Sequence, residues 1–227
     1  TKDGKPSEGY KTQDAKDQRD AAYAAGKTPL LQQEVDLVRA MRAALWADPI
    51  GSKAFRNGKA EQSIFWRDAE FGIWRRTRPD WIPDHRNYAI NWKSAASANP
   101  DDVAKAIFNL GYFQKAAWEL DGIEAVFGAR PARYCLLVQS KQAPYLVIPV
   151  WLHPDDLAWG QKLNRYACGV YRWCVETGEW PGYSQPPGEQ ARGFEDIRLP
   201  FWALKRLEER DQAGGFEPPA FMREAAE

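Results

Sequence analysis

Cysteine and histidine, the side chains that most often hold zinc or iron, are scarce in this chain of 227 residues. It contains three cysteines, Cys135, Cys168 and Cys174, and two histidines, His85 and His153. The cysteines form no C-x-x-C pair and the histidines no H-E-x-x-H pattern, which excludes the common zinc and iron–sulfur signatures. We therefore expect free, buried thiols and a reducing, cytoplasmic location.

Long apolar runs and an excess of charge of either sign are also missing. No segment approaches the roughly 18 apolar residues of a membrane span, and no signal-peptide pattern opens the chain, so we expect no membrane partner. Lysine plus arginine number 31, as do aspartate plus glutamate, and the formal net charge is zero. Zero net charge argues against strong non-specific DNA binding through global charge, but it does not exclude a local basic channel.

Tryptophan, by contrast, is abundant, with 11 residues. The chain is long enough for one sizeable α/β domain with a buried core. Most tryptophans should belong to that core or its rim, because large aromatic side chains dominate buried area. A few of them stacking on unpaired bases is the alternative.

Hydrophobic periodicity predicts the order α-β-β-β-α-β-β-α, an α/β fold with a sheet flanked by helices. The three helices of this order cover 29–46, 100–120 and 154–175, and its five strands cover 61–67, 71–81, 88–94, 133–139 and 145–151. A further helix is expected over 199–210. We expect a flexible lead-in over 1–28, a domain over 29–210 and a loose tail over 211–227. Because the chain opens at Thr1, we also expect it to be a piece of a longer protein.

Two of the helices have predicted buried faces. In the helix over 100–120, which Asp121-Gly122 should end, the apolar stripe is Val103, Ile107, Leu110, Phe113, Ala117 and Leu120. In the helix over 154–175 it is Leu157, Leu163, Tyr166, Ala167, Val170 and Trp173. Both sets follow the spacing of an amphipathic helix.

Polar residues that suit a metal site lie around the predicted hairpin of 71–82 with 88–93. Side chains two apart on a strand share a face, so Asn91 and Lys93 should point together, with Ile90 and Trp92 on the opposite side. Asp80, near the end of the preceding strand, should reach the same polar face. An acid, a second oxygen ligand and a lysine on one sheet face are typical of a Mg²⁺ site for phosphodiester cleavage.

These residues resemble the PD-(D/E)xK nuclease superfamily, with Pro79-Asp80 as the PD and Lys93 as the lysine. The wider match, over roughly 28–205, resembles phage-type exonucleases of the exonuclease VIII kind, which are related to lambda exonuclease. It rests on 58–63 (GKAEQS), 78–81 (RPDW), 111–118 (GYFQKAAW), 180–183 (WPGY) and 199–202 (LPFW). The resemblance implies the superfamily's restriction-endonuclease-like αβββαβ core, with a central mixed sheet flanked by helices, and the predicted element order matches this core.

The resemblance also implies roles for individual residues. Asp80 would be the main ligand of Mg²⁺ or Mn²⁺, with help from Glu61 and the backbone carbonyl of Trp92, and Lys93 would orient or deprotonate the attacking water. Gln114 would close the site, with Trp118 where a tyrosine is common. The implied activity is exonuclease action on linear double-stranded DNA in phage recombination, with a homo-oligomeric ring and a single-strand annealing protein as partner. Separately, Arg75, Arg76 and Arg78 are candidates for DNA phosphate contacts, or else a solvated strand edge.

Asn91 departs from the family pattern, which has Asp or Glu at this position. An amide keeps one acceptor oxygen but loses the negative charge, and Mg²⁺ favours anionic oxygens. We therefore expect weak cleavage or none, in a pocket that still forms. The alternative function is a catalytically dead nuclease-fold module that binds DNA or protein, and a third is a purely structural or interaction module.

Each of these residues also has an ordinary structural explanation. Asp80 follows a proline and is typical of a turn, and Lys93 is typical of a solvated strand edge. Glu61 and Gln114 are both compatible with exposed polar positions. Only their order along the chain favours a nuclease site.

Overall fold

The computed structural model describes residues 9–182 and 198–214. The chain divides into two units between Thr177 and Gly178. Among the described residues, the first unit contains two β-sheets and six helices, and the second contains helix α7. Most of the expected loose tail, from residue 215 onward, lies outside the described residues.

The elements follow one another in an α/β order. They are α1 (Gln13–Ala24), α2 (Gln32–Ala47), α3 (Gly51–Ala54), β1 (Gly58–Ala60), β2 (Ile64–Arg67), β3 (Trp74–Thr77), β4 (Trp81–Pro83), β5 (Tyr88–Ala95), α4 (Pro100–Asn109), α5 (Tyr112–Phe127), β6 (Arg133–Ser140), β7 (Val147–Trp151), α6 (Pro154–Thr177) and α7 (Phe201–Gln212). Helix α1 lies within the expected lead-in and was not predicted. No helix in the described part of the chain is long and apolar enough to cross a membrane.

The main sheet has five strands in the order β1-β4-β5-β6-β7. Strands β5 and β6 run parallel, and the other neighbours are antiparallel. A parallel pair needs a long crossover connection, which α4 and α5 provide. The predicted fold class, a mixed sheet flanked by helices, is confirmed.

Each face of this sheet has its own hydrophobic cluster. On one face Ala89, Tyr134, Leu136 and Val138 pack with Leu120 and other residues of α5. On the other face Ile90, Cys135 and Leu137 form a smaller cluster with Leu45 of α2 and with Phe55, Trp81 and Trp92. Because strand side chains alternate, Asn91 and Lys93 of β5 lie on the face that α5 covers.

The predicted strand over 71–81 is two separate strands, which corrects the sequence analysis. Strand β3 pairs with β2 in a two-stranded sheet, whereas β4 pairs with β1 and β5 in the main sheet. Pro79, which cannot donate a ladder hydrogen bond, lies at the break between them. Asp80 therefore occupies the turn before β4 rather than the end of a long strand.

The predicted helix over 100–120 is also two helices. Gly111, with a φ of +64°, separates α4 from α5 in the left-handed conformation that glycine adopts without strain. Asp121-Gly122 does not end the helix, which continues to Phe127. Gly122 is buried inside α5, where a Cβ would lie 2.8 Å from the Trp66 ring, so this glycine serves close packing and not termination.

Candidate metal-binding site

Strand β5 brings Asn91 and Lys93 into direct contact. Asn91 is fully buried on the α5 side of the sheet, and its Oδ1 accepts a hydrogen bond from Lys93 Nζ. The Lys93 side chain is 21% exposed, so its ammonium group lies at the edge of the buried face. The two-residue strand spacing thus places both polar groups together.

Asp80 meets the same group from the turn before β4. Its Oδ2 accepts a hydrogen bond of 2.8 Å from the backbone N–H of Trp92 and lies 3.6 Å from Lys93 Nζ. The hydrogen bond fixes the carboxylate against the middle of β5. Asp80 and Lys93 therefore lie on the same side of the sheet.

The backbone carbonyl of Trp92 completes this arrangement. It lies 3.2 Å from Lys93 Nζ, so that oxygens of Asp80, Asn91 and Trp92 all approach one ammonium group. The Trp92 ring points the other way, and its Nε1 donates to Gln139 Oε1 at 3.2 Å. Gln139 in turn donates to the Met41 carbonyl at 2.8 Å, which ties α2 to the back of the site.

These three oxygens fit a hard divalent ion by type, because Mg²⁺ binds carboxylate, amide and carbonyl oxygens. They already surround one positive charge, the ammonium of Lys93. The set contains a single carboxylate, and no group of three or more Asp, Glu, His or Cys residues able to hold a metal occurs among residues 9–182 and 198–214. The three oxygens are therefore of the type that Mg²⁺ binds, but together they carry only one negative charge.

The electrostatics of Lys93 reflect this mixed environment. Burial lowers the pKa of its ammonium group below the ordinary value. Asp80 and Glu119 oppose the shift, whereas the positive charge of Lys115 adds to it. Lys93 also lies over the Tyr112 ring, 5.8 Å from its centroid.

Helix α5 adds a second acid that the sequence analysis missed. Glu119 is completely buried and accepts hydrogen bonds from the Tyr134 hydroxyl and, at 3.5 Å, from Asn91 Nδ2. Its Oε1 also lies 3.1 Å from Lys115 Nζ, one helical turn earlier. The available signal was a lone carboxylate between the apolar residues Ala116, Ala117 and Leu120, on the helix that the sequence already assigned to the site.

Burial raises the pKa of the Glu119 carboxyl above its ordinary value, and the charge of Asp80 acts in the same direction. Lys115 and the hydrogen bond from Tyr134 oppose this shift. Burial also raises the pKa of Tyr134 well above its usual range, and Glu119 reinforces the effect. The Tyr134 hydroxyl therefore remains a hydrogen-bond donor to the carboxylate.

Glu61 lies at the rim of the site. Its backbone N–H donates to the Asp80 carbonyl at 3.2 Å, but its carboxylate pairs with Arg78 at 2.8 Å. Both side chains are more than half exposed. The structure thus brings the Glu61 backbone to Asp80 and directs its carboxylate to an exposed ion pair.

The three arginines proposed as DNA contacts have different environments. Arg76 and Arg78 are exposed and line a groove of about 330 Å³ with Phe65. Arg75 is buried, pairs with Asp68 and Asp121 at 3.0 Å each, and stacks on Trp118 with 3.7 Å to the ring centroid. The expectation for Arg75 is therefore wrong, because its guanidinium faces two carboxylates in the interior and not the surface.

Gln114 and Trp118 have structural contacts of their own. The Gln114 carbonyl accepts a hydrogen bond from Asn164 of α6 at 2.9 Å. Within the described ranges, no hydrogen bond joins the Gln114 side chain to Asp80, Asn91 or Lys93. Trp118 donates from Nε1 to the Arg76 carbonyl at 2.9 Å, which connects α5 to β3.

A cleft of about 450 Å³ opens beside Lys93. Polar side chains along it include Asp102, Tyr112 and Lys141, and Val103, Val138 and Ala106 form its apolar wall. Lys93 therefore connects the half-buried Asp80 carboxylate and the buried Asn91 oxygen to a solvent-accessible cleft.

Comparisons with known proteins agree with this architecture. A crystal structure from Eubacterium rectale, described as a "Putative exonuclease", matches with a TM-score of 0.57 at 12% sequence identity. The match covers 74% of this chain and 62% of that one, so the chain spans less than two thirds of that protein, and at this identity the likeness concerns the fold. No curated protein sequence matches. The profile of the PDDEXK-like domain of unknown function (DUF3799) matches residues 6–187, and the chain therefore belongs to this PDDEXK-like, nuclease-type family.

Proposed function

We propose that the chain is a metal-dependent deoxyribonuclease that hydrolyses phosphodiester bonds at the Asp80–Lys93 site. The observation that carries the proposal is the approach of three oxygens, from Asp80, Asn91 and Trp92, to the Lys93 ammonium beside an open cleft. Membership of a PDDEXK-like family supports it independently.

In this proposal Asp80, the Asn91 amide oxygen and the Trp92 carbonyl would hold Mg²⁺ or Mn²⁺. When bound, such an ion supplies Lewis-acid charge to the scissile phosphate and lowers the pKa of a bound water. Lys93 lines the cleft, where its ammonium group would orient the attacking water and offset negative charge on the phosphorane. The Trp92 N–H keeps the Asp80 carboxylate in place.

In this proposal the Glu61 carboxylate breaks its ion pair with Arg78 and turns toward the metal site. An exposed ion pair is worth only about 0–1 kcal/mol, so little free energy opposes rotation of either side chain. Arg78 would then be released to contact a DNA phosphate together with Arg76. Gln114, on the first turn of α5, would close the site over the bound strand.

The finer proposal is exonuclease action on linear double-stranded DNA, of the phage-recombination type. It is supported by the resemblance of 58–63, 78–81 and 111–118 to phage-type exonucleases and by the description of the E. rectale protein. A homo-oligomeric ring, a single-strand annealing protein as partner and a cytoplasmic location are part of the same proposal. The three buried free cysteines agree with a reducing location.

End-labelled linear duplex DNA and the same DNA as a closed circle test this proposal. We expect progressive nucleotide release from the linear form in Mg²⁺ or Mn²⁺, no loss of the circle, and no cleavage in EDTA. The Asp80→Asn variant should be inactive, because it removes the only carboxylate in contact with Lys93 Nζ among the described residues. Metal-independent cleavage, or full activity of Asp80→Asn, would contradict the proposal.

Asn91 favours a second candidate, a nuclease-fold module that binds DNA or protein without cleaving. Loss of a formal charge next to a dication weakens its binding. Linear DNA bound at low salt but left intact, in Mg²⁺ and in Mn²⁺, would support this candidate over the nuclease.

A further inference from the structure

Glu119 is the one carboxylate that helix α5 buries against the polar face of the main sheet in the described part of the chain. It is fully buried, and three polar groups surround it: Asn91 Nδ2, the Tyr134 hydroxyl and Lys115 Nζ. A buried carboxylate is costly unless it is paired and hydrogen-bonded. These three contacts meet that requirement and place the acid directly against the residue that departs from the family pattern.

The contact determines which end of the Asn91 amide faces the site. Only the oxygen of an amide can bind a cation, and only the nitrogen can donate to a carboxylate. Because Nδ2 donates to Glu119, Oδ1 must face the opposite way, and there it accepts from Lys93 Nζ. Glu119 thus holds the Asn91 oxygen toward the same point that Asp80 and the Trp92 carbonyl approach.

The charge of Glu119 also reaches this point. Asp80 and Glu119 interact electrostatically with each other and with Lys93. Of the three oxygens that approach Lys93, only that of Asp80 belongs to a carboxylate, and Glu119 adds a second negative charge beside them. Together this is the charge that Asp80 and an acid at position 91 would supply in the family pattern.

We propose that Glu119 is the relocated second acid of the site, a positioning residue on α5 that orients Asn91 and supplies the negative charge that strand β5 lacks at position 91. This inference rests on the proposed metal-dependent function. It makes Asn91 and Glu119 a matched pair, in which amide and acid have exchanged places between strand and helix.

Four proteins test the exchange: wild type, Glu119→Gln, the double variant that combines Asn91→Asp with Glu119→Gln, and Glu124→Gln. The last is the matched control, since it removes the same charge from an exposed position of the same helix. The measurement is Mn²⁺ affinity at neutral pH, from loss of the free Mn²⁺ signal in electron paramagnetic resonance, with thermal unfolding recorded alongside.

We expect Glu119→Gln to weaken Mn²⁺ binding about 10- to 100-fold, the usual effect of losing a group that supports a metal ligand. The double variant restores the charge at position 91 and should bind Mn²⁺ within about threefold of wild type, a shift of less than 1 kcal/mol. Glu124→Gln should bind as wild type does. In the double variant the acid stands at position 91 and the amide at position 119, so the contact between an amide and an acid is retained.

A purely structural Glu119 gives different results. Glu119→Gln would then lower the unfolding temperature without changing Mn²⁺ affinity, which overturns the inference. If Glu119→Gln does not fold, the double variant decides, because a carboxylate introduced at position 91 of a site that never used Glu119 would tighten Mn²⁺ binding at least about tenfold over wild type. Absence of Mn²⁺ binding by wild type overturns the proposed function as well, so the two failures are distinguishable.

Discussion

At the scale of single residues, the proposed function gives Lys93 and Asp80 separate tasks. Lys93 contacts the three oxygens through its ammonium group and offers no oxygen ligand itself, whereas Asp80 supplies one of these oxygens. We expect Lys93→Met to retain Mn²⁺ binding and to lose cleavage about 10²- to 10⁴-fold, the range for removing a group that assists proton transfer or charge development. Asp80→Asn should lose both.

Parallel measurements of Mn²⁺ affinity and cleavage rate on both variants check this division. Equal loss of Mn²⁺ binding in the two variants would show that Lys93 is needed to form the cation site itself. Unaltered cleavage by Lys93→Met would remove it from the chemistry.

Arg75 and Arg76 are adjacent on β3 but should respond oppositely to substitution. Arg75 is buried between Asp68, Asp121 and the Trp118 ring, so Arg75→Met removes one cationic partner from each carboxylate. Asp68 keeps Arg165 and Asp121 keeps Arg130. We expect the substitution to lower the free energy of unfolding by about 1.5–3 kcal/mol, the range for hydrogen bonds to charged groups. Arg76→Met should change stability by less than about 0.5 kcal/mol and weaken DNA binding, with a shallower salt dependence.

Chemical denaturation of both variants measures the change in stability, and DNA titration at several salt concentrations measures the change in DNA affinity. Retention of wild-type stability by Arg75→Met would contradict the buried ion-pair network. Unchanged DNA affinity in Arg76→Met would remove that arginine from the proposed DNA surface.

Asp68 predicts a specific acid sensitivity. Burial alone would raise the pKa of its carboxyl, but hydrogen bonds from the Phe71 N–H, Arg165 and Arg75 outweigh it and hold the pKa below the ordinary value. Its stabilisation is therefore complete above the unfolded pKa of about 3.9 and is lost as pH falls through the lower folded value. Asp68→Asn should be destabilised at pH 7 and show a smaller further loss below pH 4.

Unfolding free energies between pH 7 and pH 2 test this, with Glu176→Gln as control. Glu176 forms an exposed pair with Arg172 on α6, so its substitution should matter little. An Asp68→Asn profile parallel to that of wild type would contradict the role given to Asp68.

The sequence alone predicted which side chains of β5 share a face of the sheet. The period of two on a strand is fixed by backbone geometry, and it correctly placed Asn91 with Lys93 and opposite Ile90 and Trp92. The burial of Arg75 and Glu119 depends on partners 46 and 15 positions away. Local patterns carry no information about such contacts, so these two residues were misassigned or missed.

At the scale of elements, the strongly periodic strands were the most predictable. Strands β6 and β7 form the expected antiparallel hairpin, since both are continuous apolar runs around a short loop. The helix over 100–120 was predicted as one element, but Gly111 divides it into α4 and α5. Val103, Ala117 and Leu120 of the predicted stripe are buried, whereas Leu110, beside the break, is 63% exposed. Ala116 and Ile123 of α5 are buried as well.

Helix α6 packs through small residues, which the predicted stripe also missed. Leu163 and Tyr166 are exposed, whereas Gly160, Asn164 and Cys168 are buried. A Cβ at Gly160 would lie 2.6 Å from the Phe113 carbonyl, a backbone atom that cannot rotate away. We expect Gly160→Ala to lower the free energy of unfolding by about 1–3 kcal/mol, as overpacking does.

Gly169→Ala on the same helix is the matched control for this prediction. Its nearest neighbour is Phe71 at 3.5 Å, an ordinary contact, so the higher helix propensity of alanine should stabilise by about 0.5–1 kcal/mol. Thermal unfolding of both variants distinguishes close packing from a general effect of alanine. Stabilisation by Gly160→Ala would show that α5 and α6 are further apart than described.

At the scale of the whole molecule, composition and element order were sufficient to predict the α/β class, and the family resemblance added the mixed sheet. The division of the strands between two sheets was not predictable, because β3 and β4 are separated only by Arg78, Pro79 and Asp80. Zero net charge leaves DNA affinity to local groups. The exposed Arg76 and Arg78 and the cleft lysines, Lys93 and Lys141, are the described residues we assign to that role.

The most direct test of a metal site at Asp80 is anomalous X-ray scattering at the manganese edge from crystals soaked in Mn²⁺. We expect a peak about 2 Å from the Asp80 carboxylate and the Trp92 carbonyl, the usual range for metal–oxygen bonds, and no such peak in Asp80→Asn crystals. A wild-type crystal with no peak there, or an Asp80→Asn crystal that retains it, would contradict a metal site at Asp80.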